Sequence, residues 1–327
     1  MSGAVDVATM GETMALLQPL PDVPVGATST LRRSIAGAES NFAIALTRLG
    51  RSVSFLSRVG DDAFGRAIIS ALDGERVCTS QITIDQTAPT GIMVREPGRN
   101  AEPIVDYHRR GSAASQLDID DVPPEWLSGA RYVHLTGITP ALSNSCRRAV
   151  FHAIELARAN GSVVVFDPNV RMKLWNDHAT ARRVLLDIAG HADIVLPGAA
   201  ELEFLTGTGD PTSGARNLLD QGATLIAIKL GPAGSISVSE SEVITEPGHP
   251  VLRVVDPIGA GDAWAAGLLS VLIDGESTTA TPDLIRRSLR RANLVGALAT
   301  TFAGDWEGLP RLAEVESHER QQPVTTR

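Results

Sequence analysis

Residues 255–269 read VDPIGAGDAWAAGLL, a passage that starts polar and ends as an apolar run. Glycines at 259 and 261 allow their backbone amides to approach a ligand closely, and the helix predicted from Asp262 onward points the positive end of its dipole at the same place. The stretch therefore predicts an anion site. A carboxylate beside a polyphosphate is electrostatically unfavourable, so Asp262 needs a chemical reason to be there.

The role that fits Asp262 is that of a general base. It would accept the proton of a hydroxyl group that attacks phosphorus, while the main-chain amides of 259–262 stabilise the charge on the moving phosphoryl group. The alternative is structural: Asp262 caps the helix and the glycines form a tight loop. The chain has no G-x-x-x-x-G-K-[ST] and no G-x-G-x-x-G after its first predicted strand, which argues against a P-loop and against a nicotinamide oxidoreductase.

The composition fits a globular protein with a small-molecule ligand. A length of 327 residues, 43% of them hydrophobic, allows a substantial core. The net charge of -9 disfavours nucleic acid as the main partner. We see no apolar run for a membrane span and no signal peptide, so we expect a cytoplasmic protein. Cys78 and Cys146 are not in a C-x-x-C, which argues against a disulfide framework or a cysteine-ligated metal.

Strand-like and helix-like segments alternate along most of the chain. VDVATMG (5–11) is typical of an opening strand, and AESNFAIALTRLG (38–50) is typical of an amphipathic helix that ends at a glycine. The runs VVVF and LIAIKL are apolar throughout, like central parallel strands covered on both faces. Between 81 and 110 short strands follow one another without helices. The pattern predicts an α/β fold with a doubly wound, mostly parallel sheet flanked by helices, and a small β-sheet lid.

Three passages resemble the signatures of the PfkB (ribokinase-like) carbohydrate kinase family. DPIGAGDAWAAG (256–267) is similar to the second signature, and AGAESNFAIALTRLG with VGDDAFG, within 36–65, is similar to the first. The resemblance covers about residues 4–310 and implies a ribokinase-like fold. The implied boundaries are a kinase domain over 1–310, lid strands within 12–36 and 81–110, and a polar C-terminal tail over 311–327.

The resemblance also implies roles for the residues around the glycine-rich stretch. Asp262 takes the place of the catalytic base of the family, and ATP and Mg²⁺ are the implied cofactors. The stretch KLGPAGS is similar to a segment that lies along the nucleotide. The implied sets are Gly259, Ala260 and Gly261 for the anion hole, and Lys229, Gly231 and Gly234 for the nucleotide.

One motif departs from the family pattern. Members usually carry an asparagine three residues before an acid, in a motif linked to magnesium and phosphate. Here GAAE places Gly198 at the asparagine position and keeps Glu201. Two interpretations are open for Glu201: an indirect part in holding the metal ion, or a solvated position on the helix surface.

Several basic residues indicate an acidic substrate. DYHRRGSA places Tyr107, Arg109 and Arg110 at the end of a lid strand, and DPNVRMKLW places Arg171 just after a core strand. An arginine can hold a carboxylate through two parallel hydrogen bonds, so arginines that converge from lid and body favour an acid sugar over a neutral one. The structural interpretations are that the two lid arginines are solvated charges on an edge strand, and that Arg171 pairs with Asp167.

Five passages together resemble one branch of the family, the 2-keto-3-deoxygluconate kinases: GAESN, YHRRGSA, HLTGITPALS, DPNVRMKLW and GDWEG. The lid departs from that branch at Met93 and His108, where aromatic residues are usual, which leaves a related aldonic or keto acid open. Also open are a kinase of fructose, ribose or 5-dehydro-2-deoxygluconate, and a non-catalytic nucleotide or sugar sensor. The resemblance implies that the substrate hydroxyls are held by Gly37 and Asn41. It implies that the keto-acid end is held by Tyr107, Arg109 and Arg171, and that Asp305 binds near the reacting hydroxyl.

Two further expectations concern the lid and one histidine. The lid strands have an exposed edge, and TGIMVRE is apolar enough to pair with a second copy, so we expect a homo-oligomer that assembles through the lid. His134 lies on a predicted core strand, where a hydrogen-bonded structural histidine is the favoured interpretation.

Overall fold

The computed structural model describes residues 5–98, 103–275 and 281–321. The strands in these ranges are β1 (Val7–Met10), β2 (Met14–Pro19), β3 (Leu31–Ala36), β4 (Val53–Gly60), β5 (Cys78–Asp85), β6 (Ile92–Glu96), β7 (Ile104–His108), β8 (Tyr132–Thr136), β9 (Val163–Asp167), β10 (Ile194–Val195), β11 (Leu225–Lys229), β12 (Ser235–Ser239) and β13 (Val243–Glu246). The α-helices are α1 (Ala38–Arg48), α2 (Ala63–Gly74), α3 (Thr139–Leu142), α4 (Asn144–Asn160), α5 (His178–Gly190), α6 (Ala199–Thr206), α7 (Pro211–Leu219), α8 (Ala260–Leu272), α9 (Pro282–Ala299) and α10 (Leu312–Gln321).

The larger sheet has 9 strands in the order β13-β12-β11-β10-β9-β8-β1-β4-β5. Neighbours from β11 to β5 are parallel, and β12 and β13 add an antiparallel hairpin at one edge. The chain leaves β1 toward β4 on one side and later builds β8 to β11 on the other, which makes the carboxyl end of β1 a topological switch point. The predicted fold, a doubly wound and mostly parallel sheet, is confirmed.

Helices cover both faces of this sheet. One apolar cluster packs α1, α2, α8 and α9 against one face, and a second cluster packs α4 to α7 against the other. Val165 of β9 belongs to the first cluster, while its neighbours Val164 and Phe166 belong to the second. Because successive side chains of these strands enter different cores, the strands are apolar throughout. None of the helices in the described part of the chain is long and apolar enough to span a bilayer.

The smaller sheet has 4 strands in the order β3-β2-β6-β7 and forms the predicted lid. Met93 packs with Met14, Leu16 and Ala36 on its buried face. The predicted lid range 81–110 was wrong at its start, because QITID continues β5, which pairs with β4 at the edge of the larger sheet. An edge strand is only half-buried, so its sequence looks like that of a lid strand. Residues 99–102 of the predicted lid lie outside the described residues.

The C-terminal segment differs from the predicted polar tail. Residues 312–321 form α10, whose Val315 is buried in the same cluster as α8 and α9, and Arg291 pairs with Glu319 at 2.7 Å. One buried apolar side chain among charged neighbours gives too weak a periodicity to reveal the helix in the sequence. Residues 322–327 of the predicted tail lie outside the described residues.

Asp62 caps α2 and connects it to the segment that leads into the lid. Its carboxylate accepts hydrogen bonds from the Gly65 amide at 2.8 Å and from the amide and hydroxyl of Thr90 at 2.8 and 2.9 Å. Burial raises the pKa of Asp62, but the hydrogen bonds from Thr90 and Gly65 outweigh it and leave the pKa below its usual 3.8. The ionised cap therefore stabilises the fold above pH 3.8, and this contribution is lost as the pH falls through the lower folded-state pKa.

We expect Asp62→Ala to lower the free energy of unfolding by about 1–2 kcal/mol at pH 7, the usual effect of removing a cap. Urea unfolding of both proteins at several pH values measures the difference. The difference in free energy of unfolding between the two proteins should become smaller at acidic pH, where Asp62 is protonated. A difference that stays constant to the lowest pH would contradict the ionised cap.

Candidate active site

A cavity of about 720 Å³ opens between the lid and the carboxyl ends of the parallel strands. It lies at the switch point where doubly wound sheets bind ligands. Of the predicted anion-hole and nucleotide residues, Ala260, Gly231 and Gly234 are outside its lining. The predicted site residues that line it are Gly37, Asn41, Tyr107, Arg109, Arg171, Glu201, Lys229, Gly259, Gly261, Asp262 and Asp305.

The first turn of α8 leaves backbone donors available at the cavity. Gly259 precedes the helix with a φ of 76°, and a Cβ there would lie 2.3 Å from the Asp305 carbonyl oxygen, so only glycine fits. Among the described residues, no side chain accepts a hydrogen bond from the first-turn amides of α8, and the Asp262 carboxylate contacts Asn41 and Asn169 instead, so the interpretation in which Asp262 is the cap is wrong. The first-turn amides of Gly261 and Asp262 have no partner within the helix. The Ala260 amide makes a long contact of 3.4 Å with the Pro257 carbonyl.

Asp262 is held by two asparagines. Its Oδ2 accepts a hydrogen bond from Asn41 Nδ2 at 3.0 Å, and Asn169 Nδ2 is 3.5 Å from its Oδ1. Burial raises the pKa of Asp262 to about 7, the hydrogen bond from Asn41 opposes this shift, and the nearby Asp167 carboxylate adds to it. A carboxyl group with such a pKa can exchange a proton near neutral pH.

Asp305 lies beside the start of α8 and is linked to the lid. Burial raises the pKa of Asp305 to about 7, and Arg95 opposes the shift. Arg95 extends from β6, pairs with Asp256, and lies 3.4 Å from the Asp305 carboxylate. Sequence reasoning missed Arg95 and Asp256. Their partnership connects a lid strand to the loop before the glycine-rich stretch.

Arg109 is not a solvated charge on an edge strand. Its Nε donates to Glu12 Oε2 at 2.6 Å, and its guanidinium forms an ion pair with the same carboxylate. Glu12 follows β1, is buried, and also accepts a hydrogen bond from the Ser112 hydroxyl at 2.5 Å. Tyr107 is exposed, with its ring centroid 5.6 Å from the Arg109 guanidinium carbon. Since Glu12 balances its charge, Arg109 has less attraction left for a substrate carboxylate than a free arginine has.

Arg171 presents its charge to the cavity. Its Nη1 donates to the Val170 carbonyl at 3.3 Å, and it forms no ion pair among the residues that the structure describes. The interpretation in which Arg171 pairs with Asp167 is wrong, because Asp167 accepts a hydrogen bond from Lys229 Nζ at 2.7 Å. Arg171 is exposed and lines the cavity, so it remains available to an acidic ligand.

Lys229 ends β11, and Glu201 lies in the first turn of α6, which follows the neighbouring strand β10. Burial lowers the pKa of Lys229, but the Asp167 and Glu201 carboxylates outweigh it, so the ammonium form is favoured. Glu201 accepts hydrogen bonds from the Gly198 amide at 2.7 Å and from the Val170 amide at 2.8 Å. It is therefore not a solvated helix residue. It fixes the start of α6 against the loop that carries Arg171.

Two acidic side chains, Asp167 and Glu201, lie near the Lys229 ammonium group. No group of 3 or more Asp, Glu, His or Cys side chains within 5–98, 103–275 and 281–321 could hold a metal ion by itself. Mg²⁺ usually keeps several waters and binds through one or two carboxylates together with substrate phosphates. Glu201 lines the cavity, but both of its oxygens accept amide hydrogen bonds, and Asp167 is buried against Lys229. These carboxylates would therefore hold such an ion only through its waters.

The two glycines of the turn after β11 differ in their surroundings. Gly231 has a φ of 57° and open space where a Cβ would be. Gly234 has a φ of 105°, and a Cβ there would lie 2.2 Å from the Glu246 carbonyl oxygen. Gly234 therefore allows the turn to pack against the end of β13, whereas Gly231 leaves the surface beside Lys229 accessible.

Two buried ionisable residues near the cavity have structural partners. His134 Nδ1 is 3.1 Å from the Thr9 hydroxyl, and its ring stacks on Phe42 at 3.7 Å, which confirms the structural interpretation. Burial lowers the pKa of His134 to about 3, so the ring is neutral. Glu39, which sequence reasoning missed, is buried and accepts hydrogen bonds from the hydroxyls of Thr136 and Thr139 at 2.6 and 2.8 Å.

Comparison with known proteins matches residues 5–311 to the pfkB family of carbohydrate kinases. Named relatives include 2-dehydro-3-deoxygluconokinases from Bacillus subtilis (38% identity; 95% of this chain, 94% of the relative) and Thermoproteus tenax (35%; 95% and 93%). A fructokinase from Vibrio alginolyticus is 34% identical over 90% of this chain and 94% of its own.

Solved structures share the whole fold. A PfkB protein from Polaromonas sp. JS666 is 37% identical with a TM-score of 0.86, covering 96% of this chain and 100% of its own. A fructokinase from Vibrio cholerae O395, bound to fructose, ADP and a calcium ion, is 27% identical with a TM-score of 0.85, covering 96% and 99%. With its ribokinase-like architecture and a family match over nearly its full length, the chain belongs to the PfkB family of carbohydrate kinases, phosphotransferases with an alcohol group as acceptor.

Proposed function

We propose that the protein phosphorylates 2-keto-3-deoxygluconate, transferring the γ-phosphoryl group of ATP to the primary hydroxyl and giving 2-keto-3-deoxy-6-phosphogluconate. One juxtaposition carries the proposal: Asp262, with a pKa near 7, lies at the uncapped start of α8, in the same cavity as the unpaired cation of Arg171. The first supplies a base for a hydroxyl, and the second supplies a partner for the carboxylate of a sugar acid.

In this mechanism Asp262 takes the proton of the primary hydroxyl as its oxygen bonds to phosphorus and the bond to the ADP oxygen breaks. Asn41 holds the carboxylate in place through its contact of 3.0 Å. The amides of Gly259, Ala260 and Gly261 stabilise the charge on the transferring group. Glu201 and Asp167 would hold a magnesium ion through its waters, and the ion would supply positive charge that neutralises the phosphates.

The remaining predicted residues divide between the two substrates. Lys229 supplies a largely buried positive charge at the carboxyl end of β11, and the turn at Gly231 leaves room beside Lys229 for the nucleotide. On the sugar side, Asp305 lies next to the start of α8, where the reacting hydroxyl has to be. The proposed contacts are Gly37 and Asn41 for sugar hydroxyls, Tyr107, Arg109 and Arg171 for the keto-acid end, and Lys229, Gly231 and Gly234 for the nucleotide.

Fructose is the second candidate substrate, because relatives named fructokinase match over nearly the same length. A neutral sugar gives no use for the exposed charge of Arg171 in the cavity. Ribose is a neutral candidate of the same kind, and 5-dehydro-2-deoxygluconate is an acidic one. The non-enzymatic candidate is a sensor that binds nucleotide or sugar without turnover.

A substrate panel with coupled detection of ADP tests the proposal. We expect kcat/KM for the proposed keto acid to exceed that for fructose and ribose by about 10²-fold or more, because a neutral sugar makes no use of the cation in the cavity. Gluconate and 5-dehydro-2-deoxygluconate are controls that carry the carboxylate without the 2-keto group. Preference for a neutral sugar would contradict the substrate assignment, and binding without ADP release would indicate a sensor.

We also propose that the protein assembles into a homo-oligomer through the lid. TGIMVRE cannot be the pairing edge that the sequence predicts, because its strand β6 is already paired with β2 and β7. The edge strands are β3 and β7, which carry exposed apolar side chains, Leu31 at 41% and Ile104 at 49% exposure. Exposed sheet edges with apolar residues favour pairing with another strand. Sedimentation equilibrium should give a multiple of the 34.5 kDa chain mass, and a monomeric mass at micromolar concentration would contradict the assembly.

A further inference from the structure

A second cavity, of about 610 Å³, lies beside the catalytic one. Its walls come from the end of the lid strand β7, from the start of α4, and from the segment 173–176. Tyr107, Arg109 and Lys173 line both cavities. The volume is in the range of cavities that bind small metabolites. We call it the lateral cavity.

The lateral cavity is positively charged in a chain whose net charge is -9. Arg110, Arg147 and Lys173 line it, and none of the three forms an ion pair within the described ranges. Asp106 is the acidic residue of the lining, and Arg109 is already neutralised by Glu12. Three cations against one acid therefore leave an excess of positive charge there.

Arg147 is the most constrained of these cations. It is half-buried, and its guanidinium carbon lies 5.5 Å from the ring centroid of Trp175. Its Nε is buried without a hydrogen-bond partner, and so is the indole Nε1 of Trp175, whose residue is 8% exposed. Burial lowers the pKa of Arg147, and the charge of Arg183 lowers it further. Keeping a partly desolvated, unpaired guanidinium is unfavourable unless an anion compensates it.

The start of α4 adds to the same potential. Ser143 and Asn144 line the cavity, and α4 has 17 residues, so the positive end of its dipole lies at the cavity wall. Asn176 and Thr180 add neutral hydrogen-bonding groups to the lining. Arginine forks, an ammonium group and amide or hydroxyl donors together are the groups that bind phosphate and carboxylate.

We propose that the lateral cavity is a binding site, separate from the reaction centre, for a small phosphorylated acid, an anion with a phosphate and a carboxylate group. Such a ligand has a charge of about −3 near neutral pH, which the unpaired cations of the lateral cavity can compensate. Because the two cavities share Tyr107, Arg109 and Lys173, the ligand would contact the lid strand that also covers the sugar. This inference does not depend on which sugar is phosphorylated.

Calorimetric titration with 6-phosphogluconate tests the site, with gluconate and inorganic phosphate as probes that each lack one charged group. We expect 6-phosphogluconate to bind more tightly than either probe, and Arg147→Gln to weaken its binding at least tenfold. Arg148→Gln is the matched control: Arg148 is the next residue of α4, 55% exposed and paired with Asp118 outside the cavity, so its replacement removes the same charge without changing the affinity.

Arg110→Gln gives a second measurement on the opposite wall, which stays informative if Arg147→Gln destabilises the fold. Thermal unfolding of each variant identifies such destabilisation. Since Arg147 and Arg110 lie outside the catalytic lining, the kcat and KM of both variants without 6-phosphogluconate should stay within twofold of the wild type. Affinity that neither variant weakens, or affinity equal to that of inorganic phosphate, would overturn the proposal. A substrate panel that shows another preferred sugar would contradict the proposed substrate but not the proposed lateral cavity site.

Discussion

Asp262→Asn should reduce kcat by about 10² to 10⁴-fold and leave the Kd of ATP nearly unchanged. Asparagine has the same shape as aspartate but cannot accept the proton of the attacking hydroxyl. The first-turn amides of α8 belong to the backbone, so the variant keeps them. Steady-state kinetics and calorimetric titration with a non-hydrolysable ATP analogue measure the two effects. A variant with near-normal turnover would remove Asp262 from the mechanism.

The pH dependence of the wild type gives a second measurement of the same group. Only ionised Asp262 can accept a proton, and its pKa is raised to about 7, so kcat/KM should fall about tenfold per pH unit below that value. Asp305 has a pKa in the same range and could cause the same decline. Asp305→Asn separates the two, because its residual activity should keep the acidic decline, whereas that of Asp262→Asn should lose it. The opposite pattern would assign the proton to Asp305.

The sequence predicts the fold best where each strand is covered on both faces. Val164 and Phe166 enter one core and Val165 the other, so β9 reads as an uninterrupted apolar run. Prediction fails where burial is one-sided. β5 is a half-exposed edge strand that reads like part of the lid, and α10 is held by one apolar residue, Val315, together with ion pairs that no local pattern reveals.

Without the family resemblance, the sequence indicates the candidate site only where its residues are close together in the chain. Gly259, Gly261 and Asp262 lie within four residues, and their spacing alone indicates chemistry at a helix start. Glu12 and Arg95 were missed because their partners are distant: Arg109 is 97 residues from Glu12, and Asp256 is 161 residues from Arg95. Those ion pairs form only when the lid packs against the rest of the protein, and a short sequence motif does not predict that packing.

The partnership of Glu12 with Arg109 changes how the two arginines are expected to share a carboxylate. Arg109 is half-buried and paired with the buried Glu12, so it is positioned but largely neutralised. Arg171 is exposed and has no ion pair within the described ranges, which makes it the stronger partner for an acidic substrate. Sequence motifs do not distinguish the two residues in this respect. The structure therefore predicts a larger effect from replacing Arg171.

Arg171→Ala should raise the KM for the sugar acid by about 10 to 100-fold, since a hydrogen bond to a charged group contributes about 1.5–3 kcal/mol. The KM for ATP should change less than about threefold, because ATP has no need of the carboxylate clamp. Arg171→Lys is the matched variant: it keeps the charge but loses the planar fork, so its KM should lie between those of the wild type and Arg171→Ala. Initial rates over both substrate concentrations measure all of these values. Equal increases for the sugar acid and ATP would show that Arg171 supports the cavity as a whole, and the carboxylate clamp would then be wrong.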